Sequence, residues 1–129
     1  MPKAKDVTIT VTVDTDRIEQ SNVTQTIVLS DDNGGADQTP GDSSTFLSKI
    51  NNGAKVTFVP AAKNGQDGLV TFNKFEKKGK GPNVMNPMPH SPKWRATVNG
   101  AQKDTEFYTI NVSVTNKGAF SLDPATEIK

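Results

Sequence analysis

The stretch that decides the fold is Val7-Thr8-Ile9-Thr10-Val11-Thr12-Val13, in which branched apolar side chains alternate with threonine. Successive side chains of a β-strand point to opposite faces, so this alternation predicts a strand with one apolar face and one hydroxyl-bearing face. Valine, isoleucine and threonine make up 33 of the 129 residues, against four leucines. Because branched side chains favour strands over helices, the sequence predicts a β-sheet protein.

Length and composition predict how the strands are arranged. A chain of 129 residues fits one domain, covering residues 1–129. Apolar residues make up only 33%, and the chain has ten glycines and eight prolines. This composition suits two thin sheets with long loops, so we predict a single-domain antiparallel Greek-key β-sandwich of cupredoxin, immunoglobulin or jelly-roll type with seven to nine strands. Cysteine is absent, which excludes disulfides and fits a reducing cytoplasm.

Alternation and turn residues predict where the later strands lie. Asn51-Asn52-Gly53 and Asn99-Gly100 each predict a hairpin, because Asn-Gly readily adopts positive φ. A loop is predicted at 30–44 and a proline-rich irregular excursion at 76–92, while 126–129 is predicted to trail as an edge. Residues 45–50 also fit one helical turn, although the Asn-Gly turn favours a strand. The remaining predicted strands are 23–29, 45–50, 55–59, 69–75, 94–98, 105–115 and 119–122.

One cluster has the soft ligands that copper prefers. Met85, Met88 and His90 offer two thioethers and an imidazole, which together suit Cu(I). A blue-copper centre also requires a cysteine, and His90 is the sole histidine of the chain. Methionine packs adaptably against its neighbours, so a proline-rich loop with gap-filling methionines is the favoured interpretation.

A second cluster has the oxygen ligands that calcium prefers. Asp31, Asn33 and Asp37 lie in a glycine-rich segment, with Asp42 close by. The EF-hand pattern fails because Gly35 stands at its third ligand position. Asp and Asn in such loops usually form turns with their own backbone, and we expect that role here. We therefore predict no metal and no cofactor.

Other classes of function find little support in the sequence. The lysines at 74–80 surround one aromatic residue, but a net charge of +1 is too low for a typical nucleic-acid binder.

No apolar run approaches the ~20 residues that cross a bilayer, and 1–5 lead into a strand without a signal-peptide core. Trp94 and Tyr108 could stack on a sugar, although strand positions favour core roles. A single histidine without a nucleophile motif predicts that the chain is not an enzyme.

Three stretches resemble the PixA/AidA-type bacterial inclusion-body proteins. The strand at 7–16 ends in Val13-Asp14-Thr15, as that family's first strand does, and 51–58 is similar to its Gly-Asp-x-Val-x-Trp hairpin. The strand at 108–112 and the segment at 118–124 resemble its Tyr-x-Ile strand followed by an aromatic-Ser-Trp-Asp-Pro segment. Tryptophan is replaced by phenylalanine at 58 and by leucine at 122. The resemblance implies an abundant cytoplasmic bacterial β-sandwich with no established enzymatic activity.

Together these observations predict a non-enzymatic, self-associating cytoplasmic protein. We expect a homo-oligomer formed by sheet edges or by sheet faces, with 119–129 and the proline-rich loop as the contact surfaces. The near-zero net charge favours association. Neither nucleic acid nor a membrane is an expected partner. The alternative is a module on the sandwich that binds a carbohydrate or a metal ion.

Overall fold

The computed structural model describes residues 6–32, 37–39, 42–65, 68–85 and 88–129. Within these ranges the chain forms ten strands and one helical turn. In chain order they are β1 (Val7–Val13), α1 (Val23–Thr26), β2 (Ile27–Asp31), β3 (Asp37–Thr39), β4 (Asp42–Ile50), β5 (Lys55–Ala62), β6 (Val70–Lys77), β7 (Arg95–Thr97), β8 (Thr105–Val114), β9 (Gly118–Leu122) and β10 (Ala125–Ile128).

The strands form two sheets, which confirms the predicted β-sandwich. The four-stranded sheet has the order β2-β1-β5-β7. The six-stranded sheet has the order β3-β4-β10-β8-β6, and β9 pairs with β8 alongside β10. Most pairs are antiparallel as predicted, but β1 with β5 and β4 with β10 are parallel. The described residues therefore form mixed sheets, with more strands than the sequence pattern indicated.

The core lies between the two sheets and follows the predicted alternation. The four apolar residues of β1 are at most 2% exposed, while its threonines are partly exposed on the other face. Phe58 from the four-stranded sheet packs against Phe75 and Tyr108 from the six-stranded sheet, with ring centroids 4.7 and 5.9 Å away. These aromatic contacts hold the two sheets together, because stacked sheets lie ~10 Å apart and large side chains span the gap.

Both predicted Asn-Gly hairpins are wrong. The turn at 51–53 joins β4 of the six-stranded sheet to β5 of the four-stranded sheet, and residues 98–104 join β7 to β8 in the same way. The two turns lie side by side, since the Gly53 N–H donates to the carbonyl of Val98 at 2.7 Å. Asn-Gly indicates a reversal of the chain but does not decide which sheet the next strand enters.

The C-terminal segment is not an edge, contrary to the prediction. β10 lies between β4 and β8 and pairs with both. Asp123-Pro124 ends β9, but the chain continues along β8, and the carbonyl of Pro124 accepts the Tyr108 N–H at 3.1 Å. The proline therefore marks a bend, and the strand beyond it is central in the sheet.

A bulge in β6 brings apolar residues from both phases of its alternation into the core. The pairing register with β8 shifts between Phe72 and Lys74, which leaves Asn73 as the additional residue. After the shift, Phe75 joins Val70 and Phe72 in the core. β6 is the last strand of the sheet order.

The second predicted strand begins too early, and the predicted loop at 30–44 contains structure. Residues 23–26 form α1, in which the Thr26 hydroxyl donates to the Asn22 carbonyl at 2.9 Å, and the strand starts only at Ile27. Residues 37–39 and 42–44 belong to strands β3 and β4. Polar strands of this kind carry little periodicity, so their sequence is hard to distinguish from a loop.

Candidate functional site

The outer surface of the four-stranded sheet is the most distinctive exposed feature of the molecule. We call it the threonine face. Its members are the outward residues of β1, β2 and β5 other than Lys55: Thr8, Thr10, Thr12, Val28, Ser30, Thr57, Val59 and Ala61. None of these eight side chains is charged, and the cationic Lys55 continues the outward row of β5 at one end of the face. The alternation at the start of the chain correctly predicted its central row of hydroxyls.

Strand register places apolar side chains next to the central threonines. Thr12 lies between Val28 and Ala61, and Thr10 lies between Ser30 and Val59. Val28 is 51% exposed and Val59 is 39% exposed, so two branched apolar side chains flank the hydroxyl row on opposite sides. Flanking strands on both sides hold β1 in place, which keeps this surface rigid.

The hydroxyls of the central row have no side-chain partners. In the part of the chain that the structure describes, the hydroxyls of Thr8, Thr10 and Thr12 form no hydrogen bond with other residues. At the edge of the face, Thr57 differs, because its Oγ1 accepts from Arg95 Nε at 3.2 Å. A hydroxyl both donates and accepts, so the free row can bond to whatever covers it.

The outer surface of the six-stranded sheet is already hydrogen-bonded to itself. Asn73 Nδ2 donates to Asn111 Oδ1 at 2.7 Å, and Asn111 Nδ2 donates to Ser121 Oγ at 2.8 Å. Ser113 Oγ donates to Asn73 Oδ1 at 3.0 Å. This polar ladder runs across β6, β8 and β9 and leaves fewer groups for a partner than the threonine face does.

Asp123 extends the polar ladder with an ion pair. Its carboxylate accepts from Lys78 Nζ at 2.7 Å and from the Thr109 hydroxyl at 2.6 Å. Partial burial alone would raise the pKa of Asp123, but the hydrogen bonds from Lys78 and Thr109 outweigh it and lower the pKa below its usual value. The carboxylate therefore has a structural role at the bend before β10.

A row of buried polar side chains crosses the inner surface of the six-stranded sheet. Ser48, Thr126 and Glu106 lie side by side on β4, β10 and β8, each at most 1% exposed. We call this set the polar row. Ser48 donates to Asp31 Oδ2 at 2.6 Å, which links the row to β2 of the other sheet. The sequence contained a signal for it, because Glu106 is in phase with the apolar residues of β8.

Glu106 fastens the proline-rich excursion to the core. Its Oε1 accepts the backbone N–H groups of Val84 and Met85 at 3.1 and 2.8 Å. Its Oε2 lies 4.0 Å from Lys77 Nζ, which also donates to Gly81 and Asn83 of the excursion. Buried carboxylates require such partners, and here the partners fix a segment with little regular structure.

Tyr108 and Trp94, the two aromatic residues considered for sugar stacking, occupy different environments. Tyr108 is fully buried, and its hydroxyl has no hydrogen-bond partner at normal distance among the described residues, although Thr126 and Glu106 are its polar neighbours. Burial raises the pKa of Tyr108 far above its usual value. Trp94 is partly exposed at the margin of the core. The two rings therefore do not form one platform.

The structure separates the copper candidates. Met85 is buried, with its sulfur 3.9 Å from the Thr126 hydroxyl, beside the polar row. Met88 packs partly against the core, and His90 is exposed, with its Nδ1 3.1 Å from the Met88 carbonyl. Met88 and His90 line one surface cleft, but the buried sulfur of Met85 does not line it.

The calcium candidates are only partly described. Asn33 lies outside the described residues, and Asp37 belongs to β3. Asp31 accepts the hydrogen bond from Ser48, and the neighbouring Asp32 accepts the Thr8 backbone N–H at 2.9 Å. Across the described ranges, no three His, Cys, Asp or Glu residues lie close enough to hold a metal ion. Those ranges also contain no helix long and apolar enough to cross a membrane.

Comparison with known proteins supports the resemblance found in the sequence. A crystal structure of the inclusion body protein PixA from Burkholderia cenocepacia J2315 has the same fold, with a TM-score of 0.67 and 12% sequence identity over 99% of this chain and 98% of that chain. No curated protein sequence matches this one. A family model described as Domain of unknown function (DUF8788) matches residues 5–119. The chain therefore belongs to the DUF8788 family and has the β-sandwich fold of an inclusion body protein.

Proposed function

We propose that this protein associates with copies of itself through the threonine face and catalyses no reaction. The observation that carries the proposal is a surface on which exposed Val28 and Val59 flank threonine hydroxyls that bond to no other described residue. When two such faces meet, the valines are removed from water and the hydroxyls bond across the contact. A second copy of the chain is a suitable partner, because its face presents the same valines and the same hydroxyls, and a hydroxyl can both donate and accept.

The C-terminal segment and the β6 edge support self-association less well than this face does. β10 is central, and the outer side of β9 is partly covered, since Gln20 Nε2 donates to the Ala119 carbonyl at 2.8 Å. β6 carries a bulge and the charged residues Lys74 and Glu76, features that discourage pairing with another strand. The proposal therefore places the contact on the threonine face.

The size of the face indicates weak association. Three strands of about seven residues, spaced about 4.8 Å apart, cover roughly 350 Å². Stable specific interfaces bury about 800 Å² on each partner, so a pair of these faces should dissociate readily at low concentration. The net charge of +1 opposes close packing only slightly. These properties suit a protein that assembles when it is abundant.

Two further parts of the proposal rest on chemistry and on the shared fold. The sole histidine, His90, is exposed and contacts a backbone carbonyl, which leaves it without the acid and nucleophile of a hydrolytic site in the described residues. PixA is described as an inclusion body protein, and a cysteine-free chain with that fold suits the cytoplasm. We therefore propose a cytoplasmic protein whose role is assembly.

The test is to place a charge on the threonine face and measure mass against concentration. We expect the average mass of the wild-type protein to rise with concentration in sedimentation equilibrium. Val59→Lys should keep the protein monomeric over the same range, because lysine cannot be buried at the contact without a partner. Circular dichroism should show an unchanged fold.

The matched control is Phe107→Lys. Phe107 is 57% exposed on the outer surface of the six-stranded sheet, so it tests the same type of change on the opposite side of the molecule. This variant should associate like the wild type. A wild type that stays monomeric at every concentration contradicts the proposal, and so does loss of association in Phe107→Lys alone.

A further inference from the structure

Two clefts open on either side of His90 and Ser91, at the edge of the four-stranded sheet. The first, which we call the basic cleft, has a volume of about 240 Å³ and includes Lys55, Lys93 and Arg95 in its lining. The second, the aromatic cleft, has a volume of about 380 Å³ and includes Phe75, Met88 and Trp94. His90 and Ser91 line both. We propose that the two clefts together bind a phosphate group carried on a ring, as in a nucleotide or a sugar phosphate.

The basic cleft has the charge that a phosphate requires. Its lining holds three basic side chains and no carboxylate. Within the described ranges, no acidic side chain forms an ion pair with Lys55, Lys93 or Arg95, and Asp6 bonds only to the Lys55 backbone N–H, at 3.1 Å. Arg95 uses its Nε to donate to Thr57, which leaves its terminal N–H groups for a ligand. Arginine and lysine in a concave site are a common means of binding phosphate.

The aromatic cleft has a side chain on which a ring can stack. Trp94 is partly exposed, and its ring centroid lies 5.6 Å from Phe72 and 5.8 Å from Phe75. Its backbone is fixed at both ends, because its N–H donates to the His90 carbonyl at 2.8 Å and its carbonyl accepts from Phe58 at 2.9 Å. A rigid indole at the wall of a cleft is a suitable surface for a base or a sugar.

Two backbone irregularities meet at the same cleft. Trp94 has φ of +51°, a conformation that bulky residues rarely adopt, and Asn73 at the strand bulge also lines the cleft. Residues with unfavourable backbone conformations cluster at ligand sites, where the geometry serves recognition. Bulges occur next to binding sites because they change the direction of a side chain. Both features occur beside the partly exposed tryptophan.

His90 and Ser91, which line both clefts, determine how a ligand would lie across them. A phosphate in the basic cleft and a ring in the aromatic cleft would lie on the two sides of His90 and Ser91, so a single small molecule can contact both. Lys74 lines the aromatic cleft but pairs with Glu76 at 2.8 Å, which makes that cleft less basic than the first. This proposal does not depend on self-association, because neither cleft includes a valine of the threonine face.

The experiment uses the sole tryptophan as the reporter. AMP, glucose 6-phosphate, inorganic phosphate and adenosine are titrated separately into the full chain while Trp94 fluorescence and, independently, heat are measured. We expect AMP or glucose 6-phosphate to bind at least tenfold more tightly than either inorganic phosphate or adenosine. Whichever of the two binds more tightly identifies a nucleotide or a sugar phosphate as the source of the ligand.

Variants separate the two clefts. Arg95→Ala should weaken binding of the preferred compound at least tenfold, and Trp94→Phe, followed by heat alone, should weaken it severalfold without affecting inorganic phosphate. Lys80→Ala removes the same charge from an exposed position outside both clefts and should have no effect. Equal weakening by Arg95→Ala and Lys80→Ala overturns the proposal, as does the absence of binding by all four compounds at millimolar concentration.

Discussion

Two regions of the interior between the sheets are stabilised in opposite ways. Around Phe58 and Phe75 the interior is apolar, and neighbouring side chains gain from any close contact. In the polar row, each group needs a partner in the correct place, as Glu106 has in the N–H groups of Val84 and Met85. The apolar region supplies most of the stability, whereas the polar row fixes which segments lie next to one another.

The largest effect should come from the apolar region. Phe58→Ala should lower the free energy of unfolding by about 3–5 kcal/mol, because Phe58 is 2% exposed and its ring contacts join the two sheets. Urea denaturation followed by circular dichroism measures the change. Phe107→Ala is the control, since Phe107 is exposed, and it should change stability by less than about 1 kcal/mol. Equal losses in the two variants would show that Phe58 does not join the sheets.

The polar row should be the next most sensitive region. Glu106→Leu should lower the free energy of unfolding by about 2–4 kcal/mol, because two buried N–H groups lose their acceptor and Lys77 loses its ion-pair partner. Glu106→Gln keeps an acceptor oxygen and should lower it by less than half as much. The same urea denaturation measures both variants, with Glu76→Gln as an exposed control. A Glu106→Leu protein as stable as the wild type would contradict the role assigned to the carboxylate.

Tyr108 lies between the two regions, and its burial leads us to expect a loss of stability at high pH. Burial raises the pKa of Tyr108 in the folded protein, while the unfolded chain ionises near pH ~10. The contribution of Tyr108 to the free energy of unfolding is therefore fully present below about pH 10. Above that pH the unfolded chain loses the tyrosine proton, and the free energy of unfolding falls by about 1.4 kcal/mol per pH unit as long as the folded form stays protonated. Tyr108→Phe should remove this part of the loss and, because the hydroxyl has no hydrogen-bond partner among the described residues, should not lower stability at pH 8.

Absorbance can report Tyr108 alone, since it is the single tyrosine in the chain. Tyrosinate absorbance should appear only as the protein unfolds at alkaline pH. Ionisation near pH ~10 in a protein that is still folded by circular dichroism would contradict the prediction.

The smallest effect should come from the end of the polar row. Ser48→Ala removes the 2.6 Å hydrogen bond to Asp31, which joins β4 to β2, and should lower stability by about 1 kcal/mol. Urea denaturation again measures the change. Ser30→Ala on the threonine face is the control and should have almost no effect. A similar decrease in the free energy of unfolding in both variants would mean that the hydrogen bond between Ser48 and Asp31 does not stabilise the fold.

Features that depend on one strand could be predicted from the sequence. The alternation at 7–13 fixed both the bounds of β1 and its two faces, and the alternation in β8 was equally informative. Features that depend on strand partners could not. Asn51-Asn52-Gly53 indicates a turn, but the choice of sheet for β5 depends on contacts with β1 and β7. The central position of β10 has no local signal either, because its four residues resemble an edge strand in composition.

The candidate sites follow the same division. The hydroxyl row of the threonine face is visible in β1 alone, whereas the free state of those hydroxyls depends on neighbours from β2 and β5. His90 stands out in the sequence because it is the sole histidine. Its place between a basic and an aromatic cleft could not be anticipated, because Lys55 and Arg95 meet there only through the pairing of β5 with β7.

The central position of β10 creates a risk of aggregation during folding. Among the described strands, β10 alone joins the β3–β4 pair to the rest of its sheet, and it reaches β4 across a long stretch of chain. Contacts between such distant segments form slowly during folding. Until 125–128 insert, or if a protease removes them, β4 and one side of β8 expose unpaired backbone groups that can capture strands from other molecules. Such intermediates would enter disordered aggregates, a route to insoluble deposits separate from the proposed reversible assembly of intact copies.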